Sequence, residues 1–318
     1  MARRALTGLA VIAVAAGVGV AVLRGTGPLP DPEGCSTTVN GHTVLLDTEQ
    51  AENAALIAAI GVRRGLPARA VSIALATAYQ ESKIVNIEHG DRDSLGLFQQ
   101  RPSQGWGTEE QILDPVYSTN TFYDALVKID GYESMRITEA AQKVQRSAFP
   151  EAYQDHAEDG RALASALTGN SPGGVFTCVV RHDVAAESDD LNAAGLTARA
   201  AVVRADLAGA FGKLPVGGFA AGGVSNGHRE GSAHYKGRAI DVFVRPINTA
   251  NKRKGWALAA YLVAQADRLG IEHVIFDGKI WTAGTKSEDG WRDYDPGDAP
   301  GSREVLEHRD HVHVDVAD

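Results

Sequence analysis

The spacing of apolar residues changes character once along this chain, and that change limits what the chain can fold into. From Thr48 to about Gly169 they recur at three- and four-residue intervals, the period of a helix face. "DTEQAENAALIAAIGVRRG" predicts a helix that Gly65 and Pro67 stop. "PARAVSIALATAYQES" predicts a second, with Pro67 in its first turn and a stripe of Ala70, Ile73, Ala74 and Thr77. "DPVYSTNTFYDALVKI", "TEAAQKVQRSA" and "PEAYQDHAEDGRALASALTG" predict three more, the last closed by Gly169. After a polar, acidic stretch the pattern mixes. A helix at 199–211, Gly-rich loops at 217–233 and a strand "AIDVFV" at 239–244 come first. A long helix "TANKRKGWALAAYLVAQADRLG", strands near "HVIFD" and "KIWT", a polar loop at 283–303 and a last strand "HVHVDV" complete the chain. The expected architecture is multidomain: an α-helical domain at 48–178, a linker at 179–198 and an α+β domain at 199–318. At 318 residues the chain is long enough for two cores.

The N-terminus predicts where these domains work. Arg3 and Arg4 precede an uncharged, mostly apolar run from Ala5 to Leu23. A spanning helix needs about 20 apolar residues, so residues 1–24 read as a transmembrane signal anchor, or as a cleaved signal peptide. Either one exports the remainder of the chain, beginning with a linker at 25–47 that opens "GTGPLPDPEG". The only two cysteines, Cys35 and Cys178, both fall on the exported side and flank the helical segment. They are expected to form a disulfide. A formal net charge of −9 argues against a nucleic-acid partner, and "NKRKG" at 251–255 is too small a basic run to change that.

Two constellations carry candidate chemistry. The first is Glu81, at the end of a predicted apolar helix, succeeded by "GDRDS" and "LGLFQQRP". Glycosidic cleavage needs a carboxylic acid in a partly apolar cleft to protonate the leaving oxygen. "QES" with "SLGLFQQRP" resembles the lysozyme-like lytic transglycosylases, over roughly residues 48–170. That resemblance implies an α-helical lysozyme-like fold, Glu81 as the acid/base, and cleavage of peptidoglycan glycan strands. Gly96, Leu97, Phe98 and Gln99 fall on the family's Gly-Leu-Met-Gln segment, with Phe98 in place of Met. Asp91 or Asp93 as a second carboxylate would instead favour hydrolysis of the lysozyme type. Tyr79, Gln99, Gln100 and Trp106 are candidate sugar contacts, with core packing an equal alternative for Tyr79.

The second constellation is Ser232, His234, Gly237, Ala239 and Asp241, spaced S-x-H-x-x-G-x-A-x-D, with His311 and His313 on one face of the last strand. Two histidines and a carboxylate with an open fourth position make a catalytic zinc set. Six of the ten histidines fall after residue 220. The pattern resembles the VanY-like D-alanyl-D-alanine carboxypeptidase and endopeptidase metallopeptidases, over about residues 200–318. The resemblance implies Zn2+ on His234, Asp241 and His313, and cleavage of peptidoglycan stem peptides. The family's catalytic Glu is here Asp310, and His311 is the alternative base. Arg229 stands where the family carries a cation facing the substrate. The departures at Phe98 and Asp310 leave a non-catalytic wall-binding or scaffolding protein as the alternative.

Overall fold

The structure is a computed structural model that describes residues 32–181, 184–298 and 300–318. The run Ala5–Leu23 lies outside the described residues, among which no helix is long and apolar enough to cross a membrane.

The helical region is built from α1 (Thr48–Arg63), α2 (Ala68–Ser82), α3 (Glu109–Leu113), α4 (Pro115–Leu126), α5 (Ile137–Gln145) and α6 (Ala157–Leu167). Asp47 and Gln50 form a reciprocal capping box that starts α1. Pro67 caps α2 from an extended conformation, one residue earlier than predicted, and the helix runs through the core with Ala70 to Ala78 buried. The last predicted helix begins instead as a 3-10 turn (Ala152–His156) before α6.

Part of the predicted linker at 25–47 is strand. β1 (Gly34–Val39) and β2 (His42–Leu46) form a hairpin, and β3 (Phe176–Val179) pairs with the other edge of β1. Asn40 and Gly41 turn the hairpin with φ of 52° and 82°, the left-handed pair that a two-residue turn requires. The β1–β3 register sets Cys35 opposite Cys178, and a disulfide joins them. Such bonds persist in oxidising compartments, which points to an extracytoplasmic domain.

The C-terminal region holds α7 (Ala198–Phe211), β4 (Val216–Gly217), β5 (Ala239–Phe243), α8 (Thr249–Ala264) and α9 (Ala266–Leu269). It continues with β6 (Ile271–Phe276), β7 (Lys279–Thr282), β8 (Arg292–Asp293), α10 (Arg303–Leu306) and β9 (His311–Val316). The strands form an antiparallel sheet in the order β4-β5-β9-β6-β7-β8. Its inner strands alternate strictly. Ile240, Val242, Val312, Val314, Val274 and Phe276 face the core on the side of α8, while Asp241, His311, His313, Asp315 and His273 occupy the other face.

From Gly255 to Ala264, α8 is buried on every side, as a helix apolar all round must be. One flank lies on β6 and β9, and the other touches α1, α6 and β3. Helical region and sheet therefore share one core, and Gly34–Asp318 form a single compact unit. The long predicted helix breaks at Gln265, whose side chain bonds the Glu52 carbonyl of α1 at 3.0 Å.

Candidate functional site

The centre of the sheet gathers the second constellation. Antiparallel pairing of β5 with β9 sets Asp241 directly opposite His313. A 3-10 turn (Ala233–Lys236) delivers His234 to the same point, and Gly237 ends it in the left-handed conformation at φ 68°. His234 Nε2, Asp241 Oδ1 and His313 Nδ1 then form a triangle with sides of 3.3, 3.2 and 3.1 Å. Zinc–ligand bonds of about 2.0–2.1 Å at tetrahedral angles give ligand separations of about 3.3 Å. The three residues are 2 %, 7 % and 7 % exposed, so the triangle is a buried one.

The other ring nitrogens show which atoms are left to bind. His234 Nδ1–H donates to the Gly218 carbonyl at 2.7 Å, which leaves Nε2 as the ring atom that faces Asp241 and His313. His313 Nε2 pairs with Asp315 Oδ2 at 3.2 Å, and Asp315 Oδ1 in turn holds His273 Nδ1 at 2.9 Å. This carboxylate–histidine support is the arrangement that orients metal-binding imidazoles. Two imidazole nitrogens and a carboxylate oxygen converge, and a divalent cation in place of the protons shared between them fits that donor set. Burial alone would raise the Asp241 carboxyl, but hydrogen bonds from His234 and His313 outweigh it and hold it well below the usual range. Burial opposes charging of His313, yet Asp241 and Asp315 raise its pKa to about 9. Gly218 is fixed by space as well as by φ of 81°: a Cβ there would lie 2.3 Å from His234 Cε1 and 2.9 Å from Asp241 Oδ2.

His311 lies beside this triangle, its Nε2 3.7 Å from Asp241 Oδ1. Asp310 is engaged on both oxygens, by His311 Nδ1 at 2.7 Å and by Arg245 Nε at 2.6 Å. Burial works against its charge, but those two bonds keep its carboxyl below the ordinary value. The imidazole therefore faces the cluster and the carboxylate stands behind it, whereas the sequence ranked Asp310 first as the base. Arg229 is exposed on the 218–233 loop, where only its backbone carbonyl has a bonded partner among the described residues. His308 was not singled out by the sequence. It is held at φ 55°, with its ring 4.6 Å from that of His311, and burial with the neighbouring His313 and His311 pushes its pKa down to about 2.

The first constellation is assembled at the end of α2. Ser82 Oγ donates to the Leu97 carbonyl at 2.8 Å, which ties the helix end to "LGLF". Phe98 is buried and stacked on Phe122 at 4.5 Å, so the residue in the Met position is core. Tyr153, itself 1 % exposed, donates its hydroxyl to Glu81 Oε1 at 2.6 Å. Burial and the adjoining carboxylate push this phenol above its usual value, so it stays a donor. Tyr79 is half-buried, with its ring 4.5 Å from that of His156. Gln99 Nε2 donates to the His89 and Gly96 carbonyls at 3.3 Å each. Gln100 is 1 % exposed and bonds Ser118 and Thr121 inside the core, which leaves it no face for a sugar. Trp106 packs against the core edge. Asp91 is exposed, while Ser103 and Arg101 hold the Asp93 carboxyl within its own loop and well below the usual range. Among the described residues no hydrogen bond, ion pair or ring contact links this set to the histidine cluster.

With the geometry in place, comparison with known families gives one bearing on the C-terminal region. Residues 192–303 are similar to a family described as "VldE, C-terminal domain". The match spans less than half of the chain; it includes His234 and Asp241 and ends before His311 and His313. Neither of the two families that the sequence resembles gives a family-model match. No curated protein matches the chain.

Proposed function

We propose that this protein is an exported peptidoglycan-remodelling enzyme whose sheet region is a zinc D,D-peptidase acting on stem peptides. The observation that carries the reading is the buried triangle of His234, Asp241 and His313, with each imidazole supported on its outer nitrogen. A zinc ion held there would acidify water and polarise an amide carbonyl. The chain's own residues handle the proton. His311 accepts it at Nε2, while Asp310 keeps Nδ1 protonated and the ring oriented, and stabilises the resulting imidazolium. Arg245 holds the second oxygen of Asp310, so this carboxylate is a positioning residue. The departure from the family's glutamate then removes no catalytic group, because the base lies one residue further along the strand.

Glu81 supports a second activity on the same polymer, cleavage of glycan strands. Its helix-end position and its bond to a buried tyrosine suit a carboxyl that gives and retakes a proton. Tyr79 and Gln99 are the wall-facing contacts of this reading, since both remain partly exposed.

The test is mass spectrometry of the products the protein releases from purified cell walls, with and without a chelator. Chelator-sensitive peptide fragments, and anhydro-sugar ends lost in a Glu81→Gln variant, are the expected products. Reducing sugar ends would make the helical region a lysozyme-type hydrolase. Retention on the walls with no product would sink the enzymatic reading in favour of a wall-binding protein.

A further inference from the structure

We propose that Arg245 docks the free carboxylate of the residue that leaves the peptide site, so that this site trims peptide ends rather than cutting within a chain. This rests on the zinc-peptidase reading and deepens it, through a residue that lies outside the S-x-H-x-x-G-x-A-x-D spacing. Alternation along β5 puts Asp241 and Phe243 on the site face, and Arg245 follows two residues later in the same phase. Asp241 is opposite His313 and Phe243 opposite His311, while the Val244 N–H bonds the Asp310 carbonyl. The order along this face is therefore metal donors, base, guanidinium.

The guanidinium is held in place although the side chain is 54 % exposed. Its Nε donates to Asp310 Oδ2 at 2.6 Å, and its central carbon lies 4.2 Å from the centroid of the Phe243 ring. The arginine thus leans back over the residue that separates it from Asp241. Neither of its Nη atoms has a hydrogen-bond partner among the described residues. Arg309, the cation next to Asp310 in the chain, is already committed to Glu307 and Asp277. A guanidinium held in one plane with its outer N–H groups open suits a carboxylate, which it can grip at both oxygens.

The position also fits the direction of cleavage. In the hydrolysis proposed above, the oxygen of water bonds to the amide carbon and His311 takes the proton. The C–N bond breaks as that proton passes to the amine, giving a carboxyl and a free amine. The leaving residue must then lie on the His311 side of the metal donors. Its carboxylate carbon is two bonds, about 2.5 Å, from the amine nitrogen. Arg245 is the cation that the strand places beyond His311 in that direction. A chain that continued past this residue would offer a neutral amide there, with no charge to pair.

The experiment uses the full chain with zinc, as wild type, Arg245→Ala and Arg245→Lys, on two acylated peptides ending in D-Ala-D-Ala, one the free acid and one the amide. Cleavage is read as kcat/KM, and calorimetry on chelator-treated protein reads affinity without turnover. The wild type is expected to prefer the acid at least about tenfold. Arg245→Ala should lose that preference, and Arg245→Lys, which keeps a charge without the fork, should retain part of it. A role through Asp310 alone would slow both peptides equally and leave the preference in place, which overturns the inference. Equal cleavage of acid and amide by the wild type also overturns it and leaves the peptidase standing. Acid-selective binding that depends on Arg245, with neither peptide cut, removes the peptidase and keeps the docking site. Neither cleavage nor selective binding removes both. Circular dichroism on each variant separates loss of docking from loss of the fold.

Discussion

The histidine cluster on the sheet and the carboxylate at the end of α2 are both polar sites set into one core, yet they are held in different ways. Around Asp241 each group is fixed by at least two others, through Gly218, Asp315, His273, Asp310 and Arg245. Among the described residues Glu81 has one strong tether, the Tyr153 hydroxyl, and lies half-buried beside a loop. The cause is chemical. Buried charges are stable only when nearly every polar atom is paired, so a buried metal centre needs a network around it. An acid that must take up and release protons to solvent is better served by a single partner.

That contrast can be broken experimentally, beginning with the largest effect. His234→Ala with His313→Ala should abolish stoichiometric zinc and chelator-sensitive peptide release, as read by metal analysis, while glycan release persists. Loss of both activities together would show that the two sites depend on one another. Next, Cys35→Ser with Cys178→Ser opens a clasp over a sequence separation of 143 residues and should cost on the order of 5 kcal/mol in denaturant unfolding. Because β3 pairs with β1 on one side and borders α8 and the 3-10 turn at Gly284–Asp289 on the other, the two proposed activities should fall with the same midpoint. Two separate midpoints would mean that the regions unfold independently.

Asp315→Asn keeps the shape of the support behind His313 but removes its charge, and should weaken zinc affinity about 10–100-fold without unfolding the sheet. An unchanged affinity would show that the network exists for the fold rather than for the metal. The smallest effect is expected at Tyr153→Phe. A hydrogen bond to a charged group contributes about 1.5–3 kcal/mol, and at the low end of that range glycan release should fall roughly tenfold, with zinc content untouched. No change in glycan release would mean that Glu81 needs no tether, and the two sites would then differ even more in how they are held.

Much of this was legible in the sequence, for local reasons. The helices came from spacing, and the buried position of α8 from a run apolar all round. "HVHVDV" displays its site face by alternation alone, and the same alternation puts Asp315 beside His313, so that support was within reach of the same rule. Asn40-Gly41 between β-branched residues likewise marks the hairpin inside the expected linker, where the prolines just before it argue for irregular chain. Tyr153 gives no such sign, since nothing near position 153 in the chain refers to position 81.

The sequence by itself determined the elements, the two polar constellations and the cysteine pair, because each of these depends on residues close together in the chain or on residue types that are scarce. The tertiary structure alone decided which of those residues meet. It turned Gln100 inward to Ser118, placed Asp310 behind His311, and brought His228 onto His234. The shared core did the same for the halves, setting α8 between the helices and the sheet. The physical reason is that a side chain's direction and partners depend on strand register and on what packs over it, and these are fixed by contacts between segments far apart in sequence.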